Sequence, residues 1–179
     1  MRTIAIGGVP ATGKSTIMRR VMQLIGPGQS FTYGLCRFTL HSQPEGRPSV
    51  SVLGTYDEKD FPGTDRLSMG VQPDAVAFLR SQPFASTVVF EGDRLFNGKF
   101  LTASSGCGPL EIYVIETDPA LLSMRHSLAR ADVQPESWLS GRRTKVANIQ
   151  AAFKHVVLRN DLPQDVELLA QFLASRVLA

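Results

Sequence analysis

Thr3-Ile4-Ala5-Ile6-Gly7-Gly8-Val9-Pro10-Ala11-Thr12-Gly13-Lys14-Ser15-Thr16 decides how this chain is read. Thr3 to Gly7 is a short apolar run that ends in glycines, which predicts a buried strand. Gly8 to Ser15 then matches G-x-x-x-x-G-K-[ST] in full, and a helix from Gly13 to about Ile25 follows directly. Ile17, Val21 and Leu24 set its inward face, and Gly26-Pro27-Gly28 stops it. Strand, glycine-rich turn and helix in that order make an anion cradle. The turn aims backbone N–H groups inward, and the helix N-terminus adds positive potential. Gly8, Pro10, Ala11, Thr12 and Gly13 would wrap a polyphosphate. Lys14 would reach its β- and γ-phosphates, Ser15 would hold Mg²⁺, and Thr16 would sit on the α-phosphate side.

Working outward, apolar strands alternate with amphipathic helices. Extended segments are expected at 35–41 and 49–55, joined through the turn-rich Gln43 to Pro48 as a hairpin. A loop from Asp57 to Met69 comes next, then a helix from Pro73 to Arg80 whose apolar positions are Val76, Ala77 and Leu79. Strands are expected at Thr87 to Phe90, Glu111 to Glu116 and His155 to Leu158. Helices are expected at Gly98 to Ala103, Asp118 to Ala131, Arg142 to Phe153 and from Asp161 and Pro163 onward. Such alternation means an α/β fold with a parallel sheet covered on both faces by helices, with ligands beyond the carboxyl ends of its strands.

With 179 residues, 43% hydrophobic and 20% charged, the chain suits one domain spanning 1–179 and excludes global disorder. No run is long and apolar enough for a membrane span, and no secretory leader is visible. Cys36 and Cys107 lie far apart without metal spacing and read as reduced thiols of a cytoplasmic protein. The net charge of +3 is uneven: seven basic residues face only Asp132 and Glu136 between Pro119 and Asn160. That segment suits an anionic partner, either nucleotide phosphates or a nucleic-acid backbone.

The second chemical stretch is Val88-Val89-Phe90-Glu91-Gly92-Asp93-Arg94. A carboxylate at the end of a buried strand would lie beside the phosphate loop, so Glu91 would hold the metal directly or through water. Asp93 would contact metal or acceptor, and Arg94 would clamp a phosphate. Gly63-Thr64-Asp65-Arg66 repeats the Asp-Arg pair. A base must accept the proton of an attacking hydroxyl; Asp65 is the first choice and Asp93 the second. Arg125 and Arg142 fall on the inward stripes of their helices. They either snorkel or turn toward the triphosphate as part of a lid. Trp138 would pack the lid hinge or stack on a base. His41, His126 and His155 have no metal spacing and read as structural.

On these residues the chain resembles the P-loop kinase superfamily, in its nucleotide (thymidylate) kinase-like branch. GVPATGKS, the strand-end FEGDR, the helix carrying Arg125 and Arg130, and the lid-like GRRTKVAN carry the likeness. The resemblance implies a three-layer α/β fold with a five-stranded parallel sheet flanked by helices, ATP as donor, Mg²⁺, an acceptor side with a β-hairpin insertion over about 31–70 and a lid over about 126–145. One departure stands out, because 31–70 reads as hairpin and loop where thymidylate and adenylate kinases hold a monophosphate under helix. PGTDRLSMGVQP and VVFEGDRLFNGKF are most similar to phage kinases that phosphorylate 5-hydroxymethyluridine within DNA. That likeness implies a DNA acceptor whose base leaves the stack. Two alternatives stay open: a small-molecule nucleoside, nucleotide or sugar kinase, and a nucleotide-binding regulatory ATPase. No obligate protein partner is evident.

Overall fold

The computed structural model describes residues 1–44, 47–56, 62–82, 86–129 and 135–179, without the side chains of 126–129. The tip of the 43–48 turn, the first part of the loop at Asp57, and Arg130 with the stretch to 134 therefore lie outside the described residues, as does the side chain of His126. The described residues form seven strands: β1 (Arg2–Gly7), β2 (Gln29–Tyr33), β3 (Cys36–His41), β4 (Val50–Leu53), β5 (Thr87–Glu91), β6 (Leu110–Glu116) and β7 (Val156–Arg159). The helices are α1 (Lys14–Ile25), α2 (Gln72–Ser81), α3 (Gly98–Cys107), α4 (Pro119–Ala129), α5 (Glu136–Ala152) and α6 (Asp165–Leu178), with a 3-10 turn at Thr64–Arg66.

The strands form one sheet in the order β2-β3-β4-β5-β1-β6-β7. The five from β4 to β7 pair in parallel, as the alternation predicts, while β3 and β2 extend the sheet antiparallel. The expected five-stranded sheet is thus the parallel part of a seven-stranded mixed one. β2 escaped the sequence reading because all five of its residues are exposed at the sheet edge, which leaves no buried alternation to detect.

Strand β5 is buried along its whole length, as a central parallel strand must be. Val88 and Phe90 pack into the layer of α2 and α3, beside Phe78, Phe100 and Val114. Val89 faces the other way, into the layer of α1 and α6, beside Ile17, Val21, Leu173 and Val177. Helix faces differ in detail from expectation. Met18 and Ile25 complete the buried stripe of α1 while Leu24 is exposed, and α2 buries Ala75, Phe78 and Leu79 rather than Ala77. Helix α5 starts at Glu136, so Trp138 lies within it rather than in a loop. No helix among the described residues is long and apolar enough to cross a membrane.

Candidate functional site

The phosphate loop runs from the end of β1 into α1. Gly13 holds φ 86°, where a side chain is strained, and its missing Cβ is also a packing requirement. A methyl there would come within 2.4 Å of Asn160 Nδ2. Ala11 adopts φ 66°, the left-handed turn that points successive N–H groups to one side. Asn160, buried just beyond β7, donates from Nδ2 to Thr12 O at 2.7 Å and fastens the loop to the last strand. Lys14 folds over the loop, with Nζ donating to Val9 O at 2.8 Å. Burial lowers its pKa, while Glu91, Asp65 and Asp93 oppose that shift.

Glu91 ends β5 only 1% exposed. Its Oε1 accepts the Ser15 hydroxyl at 2.9 Å, so the two residues read as metal holders meet across 76 positions of sequence. Burial pushes the Glu91 carboxyl up to about 7, against the pull of the Lys14 ammonium. The Tyr56 hydroxyl is buried beside this carboxylate, and burial raises its pKa well above the usual range. It makes no well-formed hydrogen bond of its own. Two hard oxygen donors at the strand end, with an ammonium beside them, suit a metal-bound polyphosphate.

The 62–66 segment lies directly on this strand end. Thr64 Oγ1 donates to Glu91 O at 2.9 Å, and Gly63, at φ 79°, leaves room that a Cβ would fill 2.2 Å from Glu91 Oε1. Asp65 Oδ1 accepts the Arg94 N–H at 3.0 Å, so the two Asp-Arg turns interlock. Among the described residues its second oxygen accepts nothing. Arg94 reaches back toward Asp65 O (3.4 Å) and against the Met69 sulfur, and its buried Nε has no partner.

Asp93 is occupied differently. Its carboxylate pairs with Arg142 and with Lys145, whose Nζ also donates to Asp93 O at 2.7 Å. Arg142 stacks over Trp138, 4.9 Å from the ring centroid. Both residues therefore join α5 to the end of β5. Arg125 Nη1 donates to Asn160 O at 2.8 Å and turns toward the strand ends beside the loop.

A family model described as P-loop Nucleotide Kinase3 matches residues 1–167. The chain belongs to that family. As a P-loop kinase it is an ATP-dependent phosphotransferase. Among solved structures it is similar to a gluconokinase from Sinorhizobium meliloti 1021, at TM-score 0.54 and 16% identity, covering 98% of this chain and 95% of that one. A sugar kinase from Janibacter sp. HTCC2649 aligns at TM-score 0.47 and 14% identity, over 98% of this chain and 93% of that one. No curated protein matches.

In this P-loop kinase two site residues had no sequence signal strong enough to find them. Asn160 is one polar residue after an edge strand, and Tyr56 follows a hairpin strand. Each meets the site only through the fold. Along the other flank of the phosphate loop, Gly8, Val9 and Pro10 border a cavity of about 750 Å³ between α4 and α5. Cys36 and Cys107 are free thiols, and burial pushes Cys36 up to about 12. Among the described residues no cluster of His, Cys, Asp and Glu forms a separate metal site.

Proposed function

We propose that the protein transfers the γ-phosphoryl of Mg-ATP to a hydroxyl of a small-molecule acceptor held over the carboxyl ends of β4 and β5. The observation that carries this reading is the convergence of Ser15, Glu91, Thr64 and Asp65 from three separate segments onto one strand end. The amides of Gly8 to Gly13 and Lys14 hold the polyphosphate, with Thr16 and Arg125 on its nucleoside side. Ser15 and Glu91 would hold a magnesium ion, which when bound would supply charge neutralisation on the polyphosphate. Asp65 takes the proton of the attacking hydroxyl, having one carboxylate oxygen uncommitted among the described residues. Asp93, already shared by two cations, serves as anchor for Arg142 and Lys145. Arg94 stabilises charge on the moving group, and the helices flanking 130–134 close over it as a lid.

The solved structure whose fold it shares is named as a gluconokinase, which makes sugar-like hydroxyls the first acceptors to try. A second reading, the hydroxymethyl group of 5-hydroxymethyluracil in DNA, has one observation in its favour. Phe31 and Tyr33 are 40% and 41% exposed on the edge strand, and bases of a single strand stack on such rings. The test is incubation with γ-labelled ATP and an acceptor panel: sugars, nucleosides, nucleotides, and hydroxymethylated DNA. Label on a small molecule supports the first reading. Label on DNA alone, with affinity falling steeply as salt rises, moves the function to the second. Label found only as free phosphate removes both and leaves a regulatory ATPase.

A further inference from the structure

Asn160 is held by its backbone from two elements. Its N–H donates to Glu116 O at 2.9 Å, at the end of β6. Its carbonyl accepts Arg125 Nη1 from α4 at 2.8 Å and the Thr117 hydroxyl at 3.1 Å. The residue is buried. From that fixed backbone one side-chain amide reaches the phosphate loop, 148 positions away in sequence. The atom facing Thr12 O is Nδ2, because a carbonyl oxygen only accepts. Oδ1, the other end of the amide, is buried without a partner among the described residues. A buried acceptor left unpaired costs stability. A residue kept at that cost for one hydrogen bond serves the direction of the bond more than its strength.

The peptide unit it grips is free to turn over. A trans peptide is planar, so its C=O and N–H point opposite ways. Turning the Thr12–Gly13 unit over would reverse both and change the sign of φ at Gly13. Glycine takes either sign without steric penalty, so the loop itself does not resist the flip. Gly13 holds φ 86° and Ala11 holds φ 66°, with Thr12 between them. This alternation turns successive N–H groups to one side. Drawing Thr12 O toward Asn160 leaves the Gly13 N–H facing away from it, to the side on which the loop receives an anion. The next unit needs no such tether, because Gly13 O already accepts the Ile17 N–H at 3.0 Å as α1 begins. Nor does Thr12 tether itself across the sheet: its hydroxyl donates within the loop, to Val9 O at 3.0 Å.

We propose that Asn160 is a positioning residue for the nucleotide: it holds the Thr12–Gly13 peptide in the orientation that offers the Gly13 N–H to the polyphosphate. The proposal rests on the phosphate loop holding the nucleotide as read above, and it is independent of which hydroxyl accepts the phosphoryl.

The unsubstituted full chain, Asn160→Ala and Asn160→Asp are titrated calorimetrically with Mg-ADP and with a non-hydrolysable ATP analogue. The Gly13 amide is followed by NMR in isotope-labelled protein. In the unsubstituted chain the Gly13 amide proton should move downfield as ADP binds, the behaviour of a donor meeting a charged oxygen. Asn160→Ala should bind ADP and the analogue about tenfold more weakly, with the Gly13 response reduced or lost. Asn160→Asp has the same shape but sets an acceptor against Thr12 O, so it should weaken both nucleotides further. Thermal melts, and amide spectra away from the loop, establish that each variant is folded. A role in stability alone gives a different split: a lower melting temperature, with nucleotide affinity well below that temperature and the Gly13 response both unchanged. That result overturns the proposal. One measurement needs no variant, so a failure of both to fold does not shelter the idea: a Gly13 amide that stays still in the unsubstituted chain while ADP binds also overturns it. No binding of either nucleotide by the unsubstituted chain removes the phosphate-loop reading and the proposal together. Binding by that chain with both variants unimpaired removes the proposal alone.

Discussion

Asp65 is the residue on which the proposed chemistry turns. It keeps one oxygen for an incoming hydroxyl while the other is fixed by the Arg94 amide. Asp65→Asn preserves that bond and removes the base. Its kcat should fall about 10²-fold or more with the affinity for Mg-ATP unchanged, measured by steady-state kinetics and nucleotide titration. An unchanged rate would take the role away from it. His41 gives a separate, structural prediction. Its Nδ1 lies 2.8 Å from the Gly26 carbonyl and must carry a proton to donate there, while Nε2 is buried without a partner. Burial holds the ring below its ordinary value of 6.5, so the folded state prefers neutral imidazole and the unfolded chain takes up the proton first. Stability from this residue is therefore present above 6.5 and lost as pH falls below it. Thermal melts from pH 7.5 to 5 should show the decline, and His41→Gln should flatten it. At this scale much was legible. The phosphate loop announces itself because its residues are neighbours in sequence, and Glu91 because a buried strand ends on it. Asn160, Tyr56 and the interlock of the two Asp-Arg turns were not, since each depends on which strands become neighbours.

Among the elements, the pairing of Asp93 with Arg142 and Lys145 is the interaction that places α5. That helix buries only Ile149 among its seventeen residues, so it has little apolar area to hold it down. Both cations reach the strand end from one face, three residues apart. Asp93→Ala should raise amide exchange through 138–150 several-fold while exchange in β1 and β5 stays as it was; uniform exchange across the molecule would show that the pair does not anchor the helix. Sequence periodicity found α5 but began it at Arg142, because its first turns present Glu136, Trp138 and Ser140 with no buried stripe to mark them. The edge strand β2 was hidden for the same reason. Patterns of burial reveal elements that bury something, and these two bury little.

For the whole molecule, the two apolar layers meet at β5. Phe90 is fully buried against Phe100, with ring centroids 5.1 Å apart, and Phe90→Ala should cost about 3–5 kcal/mol in chemical denaturation, the scale for emptying an aromatic-sized space in a packed core. A loss below about 1 kcal/mol would mean that the layer repacks freely. The antiparallel extension has a different consequence. Because β2 and β3 are hydrogen-bonded into the sheet, the floor beneath the acceptor is part of the chassis and cannot swing with its cargo. On the proposed reading the molecule would work like a vice with one fixed and one travelling jaw: admitting a substrate and expelling a product would both fall to α4 and α5 opposite, beside the 750 Å³ hollow.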